Sequence, residues 1–139
     1  MEIIANAVQT VQANQNVYFT DTVTNGNTYI AHREGSGLVN VKGITTQCRA
    51  RYRVAFSGNI AVPEGGTPAP ISLAIAIDGE YIPASTMTVT PTVAGAYFNV
   101  SSGTFVDVIK GCCSTISVQN IGTAAVDVVN ANLTIERVA

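Results

Sequence analysis

Charge is scarce in this chain. Asp, Glu, Lys and Arg make up 12% of its 139 residues against 47% hydrophobic, and the net charge is −2. A disordered segment needs more charge than this to stay solvated, so disorder is excluded. With seven basic residues there is no broad cationic surface of the kind that drives nucleic-acid binding, and any anion site must be local. The same scarcity leaves too few charged side chains to cover the surface, so some apolar area is expected to meet another subunit.

Tryptophan is absent and His32 is the one histidine. A Ser-His-Asp or Cys-His machine would have to use it, yet "YIAHREGSG" contains no G-x-S-x-G nucleophile elbow. An enzyme is therefore not expected. His32 reads as a strand-end or surface residue, with catalysis and a pH switch as lesser alternatives.

Long apolar runs are missing as well. No stretch reaches the ~18 to 20 residues that span a bilayer, and "MEIIANAVQTVQANQN" lacks the cationic region, apolar run and cleavage site of a secretion signal. The expectation is a chain that neither spans a membrane nor carries a visible leader. Three cysteines, Cys48, Cys112 and Cys113, are an odd number and too few for a disulfide framework. Neighbours in sequence, Cys112 and Cys113 would face opposite ways on a strand, and tetrahedral zinc wants more Cys or His. The thiols are expected to be reduced and buried, with no metal and no cofactor. Calcium has no D-x-[DN]-x-[DN]-G loop to occupy, and "EGSG" and "EGGTP" lack the lysine and helix of a phosphate cradle.

What is present is period-2 alternation and β-branched residues from end to end. Strands are expected at 3–11, 17–22, 28–33, 38–42, 47–62, 71–78, 87–92, 96–101, 105–110, 114–119, 126–129 and 132–138. So many short strands in one domain, 1–139, indicate an all-β, two-sheet antiparallel β-sandwich, a jelly roll. Asn25-Gly26 and Asp78-Gly79 place residues tolerant of positive φ between apolar runs, as tight hairpins require. Three prolines and two glycines in "VPEGGTPAP", 62–70, forbid a ladder and predict an exposed loop.

One strand is unusual. In "QCRARYRVAFSGN", alternation sends Cys48, Ala50, Tyr52, Val54 and Phe56 one way and Arg49, Arg51 and Arg53 the other. The apolar set belongs in the core. Three guanidiniums at ~7 Å spacing repel unless carboxylates lie between them. Asp107, in "FVDVIK", is a candidate because Val106 and Val108 take the opposite face. An anion site for phosphate, sialic acid or an acidic glycan, and a merely solvated face, are the other readings of the arginines.

The stretches "VQTVQANQNVYFTDT", "CRARYRVAFSGNIAV", "ISLAIAIDGEYIPAST" and "FVDVIKGCCSTISVQNIGTAAVDVVNANLTIERVA" together resemble the trimeric jelly roll of the tumour necrosis factor and complement globular-head superfamily. The bacterial and phage branch, including the head domain of collagen-like spore-surface glycoproteins, is the most similar, and the resemblance covers nearly the whole chain. It departs at Gly111-Cys112-Cys113, where related proteins often carry an acidic residue, so no calcium or ligand role is carried over to that turn. No collagen-like stalk precedes the domain, which implies that the domain is the whole protein.

The resemblance implies that the arginine strand lies in the inner sheet, facing a threefold axis, with the last strand beside it. There Leu133 and Ile135 would face the core while Thr134 and Glu136 share the arginine face. Arg49, Arg51, Arg53, Asp107 and Glu136 are then expected to form an interchain network in a homotrimer. The same topology would bring Cys48 near Gly111, leaving a bridge to Cys112 or Cys113, or interchain chemistry, as alternatives to free thiols. The implied setting is a phage virion, as a capsid decoration, head-fibre or baseplate-associated protein made in the bacterial cytoplasm. Loops carrying Asn25, His32, Glu34, Glu64 and Thr67 would contact other virion proteins or a host-surface glycan. An adhesin or lectin-like receptor binder, and a bacterial cell- or spore-surface layer protein, are the alternatives.

Overall fold

A computed structural model describes residues 1–25, 28–44 and 47–139. Among these residues are twelve strands: β1 (Glu2–Ala5), β2 (Gln9–Val11), β3 (Asp21–Thr24), β4 (Ile30–His32), β5 (Val39–Lys42), β6 (Arg49–Ala61), β7 (Ile71–Ile77), β8 (Glu80–Tyr81), β9 (Met87–Val89), β10 (Phe98–Ile109), β11 (Cys113–Asn120) and β12 (Val126–Arg137). One 3₁₀ turn, Pro83–Ser85, precedes β9. The first sheet has the order β10-β6-β12-β1-β3, with β2 also on β12; the second has β4-β5-β11-β7-β8, with β9 also on β7. The ladders are antiparallel throughout, and the two sheets make a jelly-roll sandwich.

Alternation explains the core. On β6, Ala50, Tyr52, Val54 and Phe56 are buried; on β12, Leu133 and Ile135; they share one cluster with Val39, Leu73, Ile75, Ile116 and Val118 of the other sheet. Tyr52 is the largest of these side chains, and its hydroxyl donates to the Lys42 carbonyl at 2.5 Å, so its polar tip is satisfied. Burial raises the Tyr52 phenol above its ordinary range.

Three stretches of expected strand are divided differently in the molecule. Residues 3–11 form β1 and β2, both laid on β12 and separated by exposed Asn6, Ala7 and Val8. The interruption matches an irregularity in β12 itself, where the register on β6 shifts between Val129 and Asn132 and Asn130 takes φ 54°. That bulge is absorbed within one strand, so the expected pair 126–129 and 132–138 is a single β12. Likewise 96–101 and 105–110 merge into β10, because Ser102, Gly103 and Thr104 pair with Phe56, Ala55 and Val54 without a break.

Residues 17–20 are not a strand, although Val17 and Phe19 are fully buried. Their backbone donors go to both sheets in turn: Val17 to Val118 at 2.8 Å, Phe19 to Ser36 at 3.2 Å and Thr20 to Ile4 at 3.0 Å. The segment crosses from one sheet to the other. Gln9, itself buried, takes the place of a strand neighbour by accepting the Tyr18 N–H at 3.0 Å and donating to its carbonyl at 2.8 Å. The Asp78-Gly79 hairpin has positive φ at both residues, 53° and 86°, as a two-residue turn requires. The turn expected at Asn25-Gly26 lies outside the described residues. No helix among the described residues is long and apolar enough to cross a membrane.

Candidate functional site: the outer face of the first sheet

β6 runs between β10 and β12, so Arg53 has a ladder neighbour on either side, while Arg49 and Arg51 lie past the end of the β12 ladder. The register sets Asp107 opposite Arg51, Ile109 opposite Arg49, and both Phe105 and Glu136 opposite Arg53. Asp107 accepts from Arg51 through two parallel contacts, Nε to Oδ1 at 2.8 Å and Nη2 to Oδ2 at 3.2 Å, and from Arg49 Nη1 at 3.4 Å. Arg53 Nη1 meets Glu136 Oε1 at 3.6 Å. The hydrogen bond from Arg51 holds the Asp107 carboxyl below the usual carboxylate range, and Asp107 in turn raises the Arg51 guanidinium. Each of these pairs is made within one chain, and three guanidiniums against two carboxylates leave one excess positive charge.

The charged ladder is flanked by apolar side chains. Phe105 and Ile109 stand on the same face of β10 as Asp107 and are 61% and 66% exposed. Val138 joins them, since the C-terminal residues continue along β6: Val138 N–H donates to the Arg51 carbonyl at 2.8 Å, and Arg51 N–H to that of Ala139 at 3.1 Å. The alternation that placed Asp107 outward also placed Phe105 and Ile109 there, so the signal for them was in the sequence beside the charge.

Further along the strands the face sinks into an open hollow of about 410 Å³, whose floor is Ala55, Ser57, Ser101, Gly103, Asn132 and Thr134, with Arg53 at its rim. Its cause is the small size of outward residues on three neighbouring strands. A smaller hollow of about 250 Å³ lies beside it between Arg53 and Glu136.

The expected contact loops do not converge. Lys42, which ends β5, bonds through its N–H to the Tyr29 carbonyl at 2.8 Å, and Asn25, which follows β3, lies at that same end of the sandwich, where β6 begins. Residues 33–38 and 62–70 follow β4 and β6 at the other end, where Glu34, Glu64 and Thr67 are exposed. His32 is half-buried: its Nε2 donates to the Ser36 carbonyl at 2.8 Å, its ring meets Phe19 edge-on, and its Nδ1 is buried with no hydrogen-bond partner among the described residues.

The thiols depart from expectation. Cys48, Cys112 and Cys113 are free, as the reading held, but exposed rather than buried. The ladder of β6 begins at Arg49, so Cys48 projects past the last packed residue, Ala50, and the other two lie at the turn from β10 into β11. Among the described residues, no group of three His, Cys, Asp or Glu side chains is placed to hold a metal ion.

No protein-family model matches the chain, and no curated protein matches it significantly. Solved structures do. The globular domain of the zebrafish complement 1qA protein superposes with a TM-score of 0.63 at 14% identity, over 96% of this chain and 93% of that one. The PRD1 vertex protein P5 superposes with a TM-score of 0.51 at 13% identity, over 99% and 95%. Likeness at such identities is likeness of fold, and it agrees with the strand order and alternation above. The chain has a jelly-roll fold like that of the complement 1qA globular domain, an architecture that a phage vertex protein shares.

Proposed function

We propose that this chain is a non-enzymatic homotrimeric structural or binding module that serves in a phage virion, as a capsid decoration, head-fibre or baseplate-associated protein made in the bacterial cytoplasm. The observation that carries the oligomer is the outer face of the first sheet. Its carboxylates already neutralise most of the arginine charge, while Phe105, Ile109 and Val138 remain exposed beside an unfilled hollow. Protrusion and hollow are different patches of one face, so the side chains of one copy fit the hollow of the next. Such a head-to-tail contact closes into a ring when the rotation permits. In that ring Arg53 and Glu136, the most loosely paired of the five charged residues, exchange partners between chains, and Arg49, Arg51 and Asp107 extend the network. The charges set register and partner choice more than stability.

The virion setting is supported by the architecture shared with a phage vertex protein. Contact with other virion proteins falls to the end loops carrying Glu34, Glu64 and Thr67, and to Asn25 at the opposite end. Light scattering on the purified protein tests the oligomer: a mass of three times the 14.5 kDa chain in both low and high salt is expected, and a monomer overturns it. Mass spectrometry of purified particles from the producing host tests the setting.

A second reading is an adhesin or lectin-like receptor binder, on a virion or on a bacterial cell or spore surface. The polar lining of the hollow favours it, since Arg53, Ser57, Asn132 and Thr134 offer donors and acceptors to a sugar. Binding on a glycan array that is lost in Arg53→Ala would select this reading.

A further inference from the structure

All three cysteines of the chain lie exposed at the end of the sandwich where β6 begins, although cysteine is among the most buried residue types. Two backbone contacts gather them. The Lys110 N–H donates to the Cys48 carbonyl at 2.9 Å, continuing the β10–β6 ladder one pair past Arg49 and Ile109, and the Gly43 N–H donates to the Cys112 carbonyl at 2.9 Å. The turn between them is tight, with Cys112 N–H bonded to the Ile109 carbonyl at 3.0 Å and Gly111 at φ 81°. Gly43 permits the approach, because a Cβ there would lie 2.3 Å from the Ile109 carbonyl oxygen.

Strand parity then separates the two neighbours. Cys48 has the parity of Ala50, Tyr52 and Val54, which face the core from the first sheet; Cys112 has that of Ile116 and Val118, which face it from the second. By that parity both fall on the core-facing side at this end of the sandwich, where both are exposed. Cys113 has the parity of Thr115 and Ser117 and is directed away from it. Cys48 and Cys112 also lie just outside their strands, each held by a backbone hydrogen bond at its carbonyl, and both side chains are exposed.

We infer that Cys48 and Cys112 are a redox pair, open in a reducing interior and closed to an intrachain disulfide under oxidising conditions, while Cys113 stays a thiol. The oxidant is a small disulfide such as oxidised glutathione. The thiolate of one cysteine attacks it, forming a mixed disulfide and releasing one glutathione thiolate. The second cysteine, losing its proton, attacks the protein sulfur and releases the other glutathione. Two cysteine thiols are oxidised, two glutathione sulfurs are reduced and two protons leave. The bond ties the start of β6 to the turn between the sheets and closes a loop of ~65 residues, which constrains the unfolded chain.

This inference does not rest on the trimer. The test is incubation of the purified protein with oxidised glutathione, followed by thiol counting, non-reducing electrophoresis and peptide mass mapping. Expected are loss of two of the three thiols, one Cys48–Cys112 peptide link within a single chain, and a melting midpoint higher than in dithiothreitol by roughly 5–10 °C. Cys113→Ser should still close; Cys48→Ser and Cys112→Ser should not. A link through Cys113, crosslinks between chains, stable glutathione adducts or three surviving thiols would each overturn the assignment. Light scattering of the reduced protein reports separately on the oligomer.

Discussion

The two sheets present opposite kinds of outer face. Of the large hydrophobic side chains exposed on described strands, Val23, Phe98, Phe105 and Ile109 belong to the first sheet and Tyr81 alone to the second. The first sheet also carries the Arg51–Asp107 and Arg53–Glu136 pairs. The second shows Asn40, Thr115, Gln119, Ser72 and Thr88, uncharged polar groups, with charge only at the strand ends Lys42 and Glu80, and Ser72 and Thr88 are hydrogen-bonded to each other at 2.8 Å across β7 and β9. One face satisfies itself; the other keeps large apolar groups in water beside a hollow. Identical alternation built both, so the difference lies in which residues were placed outward, and it is the first sheet that leaves large apolar groups exposed.

The largest effect should come from reversing that character. Phe105→Asp puts a charge where an apolar contact is proposed, and the protein should run as a monomer in light scattering, with dissociation rising roughly 30-fold or more. Tyr81→Asp, the same change on the second sheet, should leave the mass unchanged. Equal loss in both variants would break the comparison. Ala55→Leu is the complementary change, filling the hollow rather than removing what enters it. Association should weaken by roughly tenfold while the melting midpoint of the dissociated chain stays close to that of the parent.

The difference between the faces was half legible in the sequence. Period-2 alternation is local, so Arg49, Arg51 and Arg53 could be set against Tyr52 and Val54 without knowing the fold, and Asp107 against Val106 and Val108. Glu136 needed the neighbouring strand, which only topology supplies. The hollow was illegible because Ala55, Gly103 and Thr134 are distant in the chain and meet only through the ladders of β10, β6 and β12. Two errors share one cause. Alternation says which way a side chain points but not where a ladder ends, so Cys48 was extrapolated into the core one residue past the strand, and 17–20 was read as a strand although its hydrogen bonds leave one sheet for the other.

Acid should separate the faces more gently. Asp107 has a folded pKa below its unfolded value, chiefly through the hydrogen bond from Arg51. Its contribution is therefore fully present above about pH 4 and is lost as pH falls from there through the folded value. Asp107→Asn removes that dependence and leaves Arg49 and Arg51 without their carboxylate. In urea melts the variant should lose less stability than the parent between pH 6 and pH 3. An unchanged difference would mean that Asp107 contributes nothing to the ladder.

The smallest effect belongs to the second sheet. Ser72 and Thr88 lie opposite one another in the β7–β9 register, and their hydroxyls share a hydrogen bond at the solvent surface. Ser72→Ala removes one partner, but the Thr88 hydroxyl can turn to water, so no buried group is left unsatisfied and the cost should be about 0.5–1 kcal/mol in denaturant melts. Association should not change. The pairing on this face would then be a matter of local stability alone, and a measurable change in oligomer mass would show that the second sheet also meets a partner.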